Sequence, residues 1–174
     1  IPNMTQLLEQ HGIKVLLLAL PEGVDGLTCL VRRPGKEAVP CIVVNQQRTL
    51  ERRRLTLAHE VGHRFIDPDS SYSPEKAANR FAGALLMPAD HLQAEIGKHR
   101  HALGYREIVQ LKRIYRVSAA SMLLRLSHLG ILSQAALVHA FQTVAKDWRK
   151  VEPEPLEPSE LRGQEETPSR FERL

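Results

Sequence analysis

The apolar pattern splits the chain into a strand-rich first quarter and a helical remainder. Met4, Leu7 and Leu8 share one face of a short helix from Met4 to His11, opposite Gln6, Glu9 and Gln10, and Gly12 stops it. Three strand-length runs follow: Ile13 to Leu18, Leu27 to Arg32 and Pro40 to Asn45. Turn signals separate them at Pro21-Glu22-Gly23, Asp25-Gly26 and Pro34-Gly35. Short turns between successive strands predict a small antiparallel three-stranded sheet. From residue 49 the period lengthens to that of helices. The pattern predicts helices over Leu50 to Phe65, Pro74 to Met87, Ala89 to Ile96, Tyr105 to Tyr115, Ser118 to Leu129 and Leu132 to Trp148. Pro68 is expected to end the first of these. Ser73-Pro74-Glu75 is a good start for the second, with Ser as N-cap and Pro at the first helical position. The fold class expected is α+β.

The last stretch changes character. Residues 151–174 hold four prolines and seven glutamates against three arginines, with few large apolar residues. They read as a Pro/Glu-rich linker or tail. The organisation expected is a first domain over residues 1–98, a helical region over 99–150 packed on it, and this tail over 151–174. No apolar run reaches the length of a membrane span, and no secretion signal is visible. Cys29 and Cys41 are the only cysteines, and both fall in strand runs, so two small buried side chains are expected, with a disulfide between them as the alternative. The absence of a cysteine framework fits a reducing cytoplasmic setting.

Net charge is +4, and its distribution matters more than its sum. Residues 100–129 carry Arg100, Arg106, Lys112, Arg113, Arg116 and Arg125 against Glu107 alone. Helix, Val-Ser turn and helix with a basic face resemble a helix-turn-helix unit. Arg113, Arg116 and Arg125 are therefore candidate contacts to nucleic acid or to an acidic partner. The competing reading packs Leu111, Ile114, Val117, Leu123, Leu124 and Leu126 on a core and leaves the arginines solvated.

The candidate chemistry lies in His59-Glu60-Val61-Gly62-His63. On a helix, residues four apart share a face, so His59 and His63 can aim ring nitrogens at one point. Glu60 sits one position round, where a carboxylate can take a proton from water held at that point. With 8 His among 174 residues, chance produces such a motif roughly 3% of the time, so neighbouring residues must carry the rest. A hydrolytic zinc site needs three protein ligands and one open position. Glu75, in the first turn of the next helix, is the candidate third ligand. Asn79, four residues on, can orient a ligating imidazole. Two nitrogens and one carboxylate would also accept Mn²⁺, Co²⁺ or Fe²⁺.

These residues carry a resemblance. Leu55-Thr56-Leu57-Ala58-His59-Glu60-Val61-Gly62-His63, followed by Glu75-Lys76-Ala77-Ala78-Asn79-Arg80-Phe81-Ala82-Gly83-Ala84-Leu85-Leu86-Met87-Pro88, resembles the ImmA/IrrE metallopeptidase family. The second block is the more distinctive. Tyr115 to Gly130 is also similar to the family's downstream Val-Ser and Arg-Leu pattern. The resemblance implies a zincin-like fold of the gluzincin type. It implies one Zn²⁺ per chain held by His59, His63 and Glu75, with Glu60 as general base and Asn79 in support. It implies a zinc endopeptidase whose substrate is a helix-turn-helix repressor or another regulatory protein, in stress response, mobile-element or toxin–antitoxin control. Residues 1–12 look like the join after an Xre-type DNA-binding domain, and residues 166–174 like the start of a further helical region. The expectation is thus an internal piece of a longer regulator that reaches DNA through a fused domain. The alternative is a non-catalytic metal- or ligand-sensing module of a transcription regulator or antitoxin.

Overall fold

A computed structural model describes residues 1–67, 71–148 and 150–168. Pro68 lies outside these residues, as does most of the region expected to start a further helix. The elements run α1 (Met4–Gln10), β1 (Lys14–Leu18), β2 (Gly26–Arg33), β3 (Lys36–Asn45), α2 (Leu50–His63), α3 (Pro74–Leu86), α4 (Ala89–Ile96), α5 (Tyr105–Tyr115), α6 (Ala119–His128) and α7 (Gln134–Gln142). The class is α+β, as the periodicity predicts. The chain forms two compact units, Ile1–Ala82 with the segment from Glu157 onward, and Gly83–Leu156. The two units divide within α3, between Ala82 and Gly83.

The sheet corrects one expectation: it is mixed, not antiparallel. Its order is β1-β3-β2, with β1 parallel to β3 and β2 antiparallel to β3. The tight turn at Pro34-Gly35 makes β2 and β3 a hairpin, with Gly35 at φ +67°. The link from β1 to β2 instead crosses the end of β3, so β1 and β2 occupy opposite edges. Buried Asn45 holds that crossing: its Nδ2 donates to the Val24 carbonyl at 2.9 Å and the Leu20 carbonyl at 3.3 Å. Its backbone N–H donates to the Asp25 carbonyl at 2.8 Å.

Helix α2 covers one face of the sheet. Gly26 points at it so closely that an added Cβ would lie 2.6 Å from Thr56 Cγ2. By strand alternation and register, Val15, Leu17, Ile42 and Val44 share that face with Gly26. Val15, Ile42, Val44, Leu50, Leu57 and Ala58 are buried there. The other face carries Leu16, Leu18, Leu27, Cys29 and Val31, of which Leu18, Leu27 and Val31 are exposed. Cys29 is exposed as well, because it lies on this outer face of an edge strand, while Cys41 in the central strand is buried. The expectation that both are buried therefore holds only for Cys41.

The Pro/Glu-rich stretch is not a free tail over its described residues. Glu157 is buried and accepts from Arg53 Nη1 at 2.9 Å and Nη2 at 3.3 Å. The backbone N–H groups of Gln164 and Glu165 donate to it at 3.1 Å each. Glu166 accepts from Arg54 Nη1 and, at 2.8 Å, from the Met4 N–H at the start of α1. Arg53 and Arg54 thus point inward from α2, and carboxylates more than a hundred residues away neutralise them.

In the second unit, Ile108, Met122, Leu123, Leu126 and Ile131 form a buried core. Arg116 caps α5 in a left-handed conformation (φ 54°), and the Ser118 hydroxyl caps α6 by accepting from the Ser121 N–H at 3.1 Å. Fully buried Lys112 donates to the Pro153 and Glu154 carbonyls at 3.0 and 2.8 Å and pairs with Glu152. The last helix is shorter than its apolar run: α7 ends at Gln142, and turns continue to Trp148. The Thr143 hydroxyl closes it on the His139 carbonyl at 2.8 Å.

Burial pushes the Glu157 carboxyl up, but the bonds from Arg53 and the backbone N–H groups outweigh it and hold the group below the ordinary carboxylate range. A depressed pKa contributes stability at neutral pH that is lost as pH falls through and below that range. Glu157→Gln is therefore expected to cost about 3 kcal/mol at pH 7. It should also flatten the acid limb of stability against pH, read as urea midpoints between pH 7 and pH 3.

Candidate metal centre

Helix α2 presents the first two groups. The Thr49 hydroxyl caps it by accepting from the Arg52 N–H at 3.3 Å, and Glu51 adds an acid to its first turn. His59 and His63 fall on one face near the other end. The regular helix stops at His63 rather than Phe65, because Arg64 and Phe65 donate to the Val61 and Gly62 carbonyls, three residues back. Helix α3 presents the third group from its first turn, where Glu75 complements the helix dipole.

The two helices come unusually close. A Cβ at Gly62 would lie 3.1 Å from Ala78 Cα, 3.2 Å from Phe81 Cδ1 and 3.3 Å from the Ala78 carbonyl oxygen. Ala78 is itself buried. This contact of two small residues brings Glu75, one turn earlier on α3, to the histidines.

The resulting geometry is compact. His59 Nε2 and His63 Nε2 are 3.0 Å apart. Glu75 Oε2 lies 3.3 Å from His59 Nε2, and Glu75 Oε1 lies 3.3 Å from His63 Nε2. Ligands about 2.0–2.1 Å from a tetrahedral cation stand about 3.3 Å from one another. The triangle has that size, so the three residues fit a divalent ion. Two imidazole lone pairs and a carboxylate facing one point also repel unless a cation lies between them. The Glu75 side chain is 71% exposed, so the triangle opens to solvent on that side. Among the described residues, these three form the one group of His, Cys, Asp and Glu side chains suited to a metal ion.

Asn79 lies one turn after Glu75 on α3. Its Oδ1 is 3.1 Å from His59 Nδ1 and accepts from the Nδ1–H. That bond fixes the tautomer and leaves the Nε2 lone pair free for a cation. Glu60 is half-buried beside the triangle. Burial pushes its carboxyl above the ordinary range, Glu75 adds to that, and His59 and His63 pull it down.

The named basic residues of the second unit lie on α5, at its end and on α6. Arg113 is ion-paired with Glu154. Arg125 is part-buried: burial lowers its pKa, and its Nε donates to the Met87 carbonyl at 3.0 Å, closing the end of α3. Arg116 serves as the α5 cap. Arg113 and Arg125 thus bond within the unit. Sequence reasoning missed these bonds, and it also missed Gly62. A glycine inside a helical pattern next to two candidate ligands was the available signal.

Residues 8–127 match the family model Peptidase_M78, the IrrE N-terminal-like domain. A comparison with curated proteins gave no match. The matched span covers well over half of the chain and includes α2, α3 and the whole triangle. The family is of the metallopeptidase type, which agrees with a His-His-Glu group built to the size of a metal site. The chain belongs to the IrrE N-terminal-like domain family.

Proposed function

We propose that this chain is a zinc-dependent endopeptidase with one Zn²⁺ per chain, held by His59, His63 and Glu75. The observation that carries the reading is the triangle of ligand atoms, 3.0–3.3 Å on each side, with Glu60 next to it in sequence. When bound, the cation supplies Lewis acidity toward water and toward a peptide carbonyl. The protein's own residues do the rest. Asn79 keeps the His59 ring in the tautomer that ligates. Glu60 takes the proton that water loses as it attacks the carbonyl and delivers it to the leaving amine. The exposed side of Glu75 leaves room for an extended segment of a protein substrate.

The substrate in this reading is a helix-turn-helix repressor or a similar regulatory protein in the cytoplasm, and DNA is reached through a fused Xre-type domain. It rests on the family's motifs, which this chain carries at Leu55–His63 and Glu75–Pro88. No helix among the described residues is long and apolar enough to cross a membrane. The other reading, a metal-holding regulatory module without catalysis, makes the same triangle but assigns no work to Glu60.

Two measurements decide between them. Elemental analysis of the zinc-loaded chain should give about one Zn²⁺ per chain, with loss of binding in His59→Ala, His63→Ala and Glu75→Ala. A wild-type chain that holds no metal contradicts the site. Cleavage of purified helix-turn-helix repressors and of a quenched peptide library, followed by mass spectrometry, should fall about 10²-fold or more in Glu60→Gln with zinc retained. Equal cleavage in that variant contradicts the role of Glu60. Zinc binding with no cleavage by the wild type would select the regulatory module.

A further inference from the structure

Cys29 and Cys41 stand directly opposite each other across the β2–β3 hairpin. The Asn45 N–H bond to the Asp25 carbonyl sets the ladder's phase, so 25/45, 27/43 and 29/41 are the hydrogen-bonded pairs. Cα atoms at such pairs are about 5.5 Å apart, within the roughly 4.4–6.8 Å that disulfides span. Opposed residues point to the same face, here the one turned away from α2. On that face Cys29 is exposed at the sheet edge, and Cys41 is buried beside it in the central strand. We propose that Cys29 and Cys41 are a reversible redox pair, oxidised to an intrachain disulfide by a small-molecule disulfide of the glutathione class.

The steps follow from exposure. The Cys29 thiolate attacks one sulfur of glutathione disulfide, forms a mixed disulfide and releases one glutathione. Cys41 then loses its proton to water and attacks the Cys29 sulfur, releasing the second glutathione. The net change is two protein thiols and one glutathione disulfide into one protein disulfide and two glutathione thiols. Burial raises the Cys41 thiol, and the neighbouring Cys29 raises it further, so Cys41 is the poorer first nucleophile. Lys14, its register partner on β1, acts in the opposite direction and favours the thiolate. Cβ atoms of opposed residues sit about 4.5–5.5 Å apart, wider than the roughly 3.8 Å of a relaxed disulfide. Closing that gap strains the hairpin, and strained disulfides are the readily reduced ones. The pair is therefore suited to switching rather than to permanent stapling.

The test uses the folded full chain, glutathione disulfide as oxidant, and intact-mass and peptide-map readouts. The wild type should lose the mass of two hydrogens, yield a Cys29–Cys41 cross-linked peptide and recover both thiols with a dithiol reductant. Cys41→Ser should stop at one glutathione adduct on Cys29. Cys29→Ser should react at least about tenfold more slowly, since Cys41 is buried. A wild type that accumulates the Cys29 adduct and never the cross-link overturns the proposal. So does a cross-link that appears in urea and not in the folded chain, or a Cys29→Ser variant that reacts as fast as wild type.

Discussion

The ligand atoms of α2 and α3 meet beside a point where the two helix backbones nearly touch. In this protein they do so at Gly62 and Ala78, where a Cβ on Gly62 would stand 3.1 Å from the Ala78 Cα. The close approach fixes where the first turn of α3 begins relative to the last turn of α2. Glu75 then lies 3.3 Å from both imidazoles, and Asn79, one turn further, meets the Nδ1 of His59. A glycine in a helix interior costs about 1 kcal/mol relative to alanine, so its presence here exchanges local helix stability for the geometry of a site.

A second constraint acts on the same helix. Arg53 and Arg54 precede the metal face of α2 by one to two turns and point into the protein. Buried guanidinium groups need partners, and breaking such a pair costs several kcal/mol. The carboxylates of Glu157 and Glu166 supply them, and Glu166 also meets the start of α1. The segment from Glu157 thus becomes part of the unit that holds the site. In the second unit Lys112 makes a similar demand, met by Glu152 and the carbonyls of Pro153 and Glu154.

The helices and the triangle were legible because their signals are local. Apolar spacing marks α2, α3, α5 and α6, and His59, His63 and Glu75 lie on consecutive helices with a short link. The sheet order was not legible: it depends on the loop from β1 crossing the end of β3, which Asn45 secures through bonds to residues 20 and 24. No periodicity encodes that crossing. The Pro/Glu-rich stretch read as a tail because its composition cannot build a core. Its carboxylates pair with Arg113, Arg53 and Arg54 at separations of 41, 104 and 112 residues, and a composition window does not see that distance. Arg125 read as a candidate surface contact for the converse reason: its partner is a backbone carbonyl at Met87, and sequence does not display carbonyls.

Two imidazoles and one carboxylate are proposed to hold the metal. X-ray absorption at the zinc edge of the loaded chain tests it directly. The expected shell is two nitrogen scatterers at about 2.0–2.1 Å, oxygen at about 2.0–2.2 Å, and no sulfur. Sulfur at about 2.3 Å would place the metal on Cys29 or Cys41 and contradict it, as would a shell lacking the imidazole scattering of two histidines.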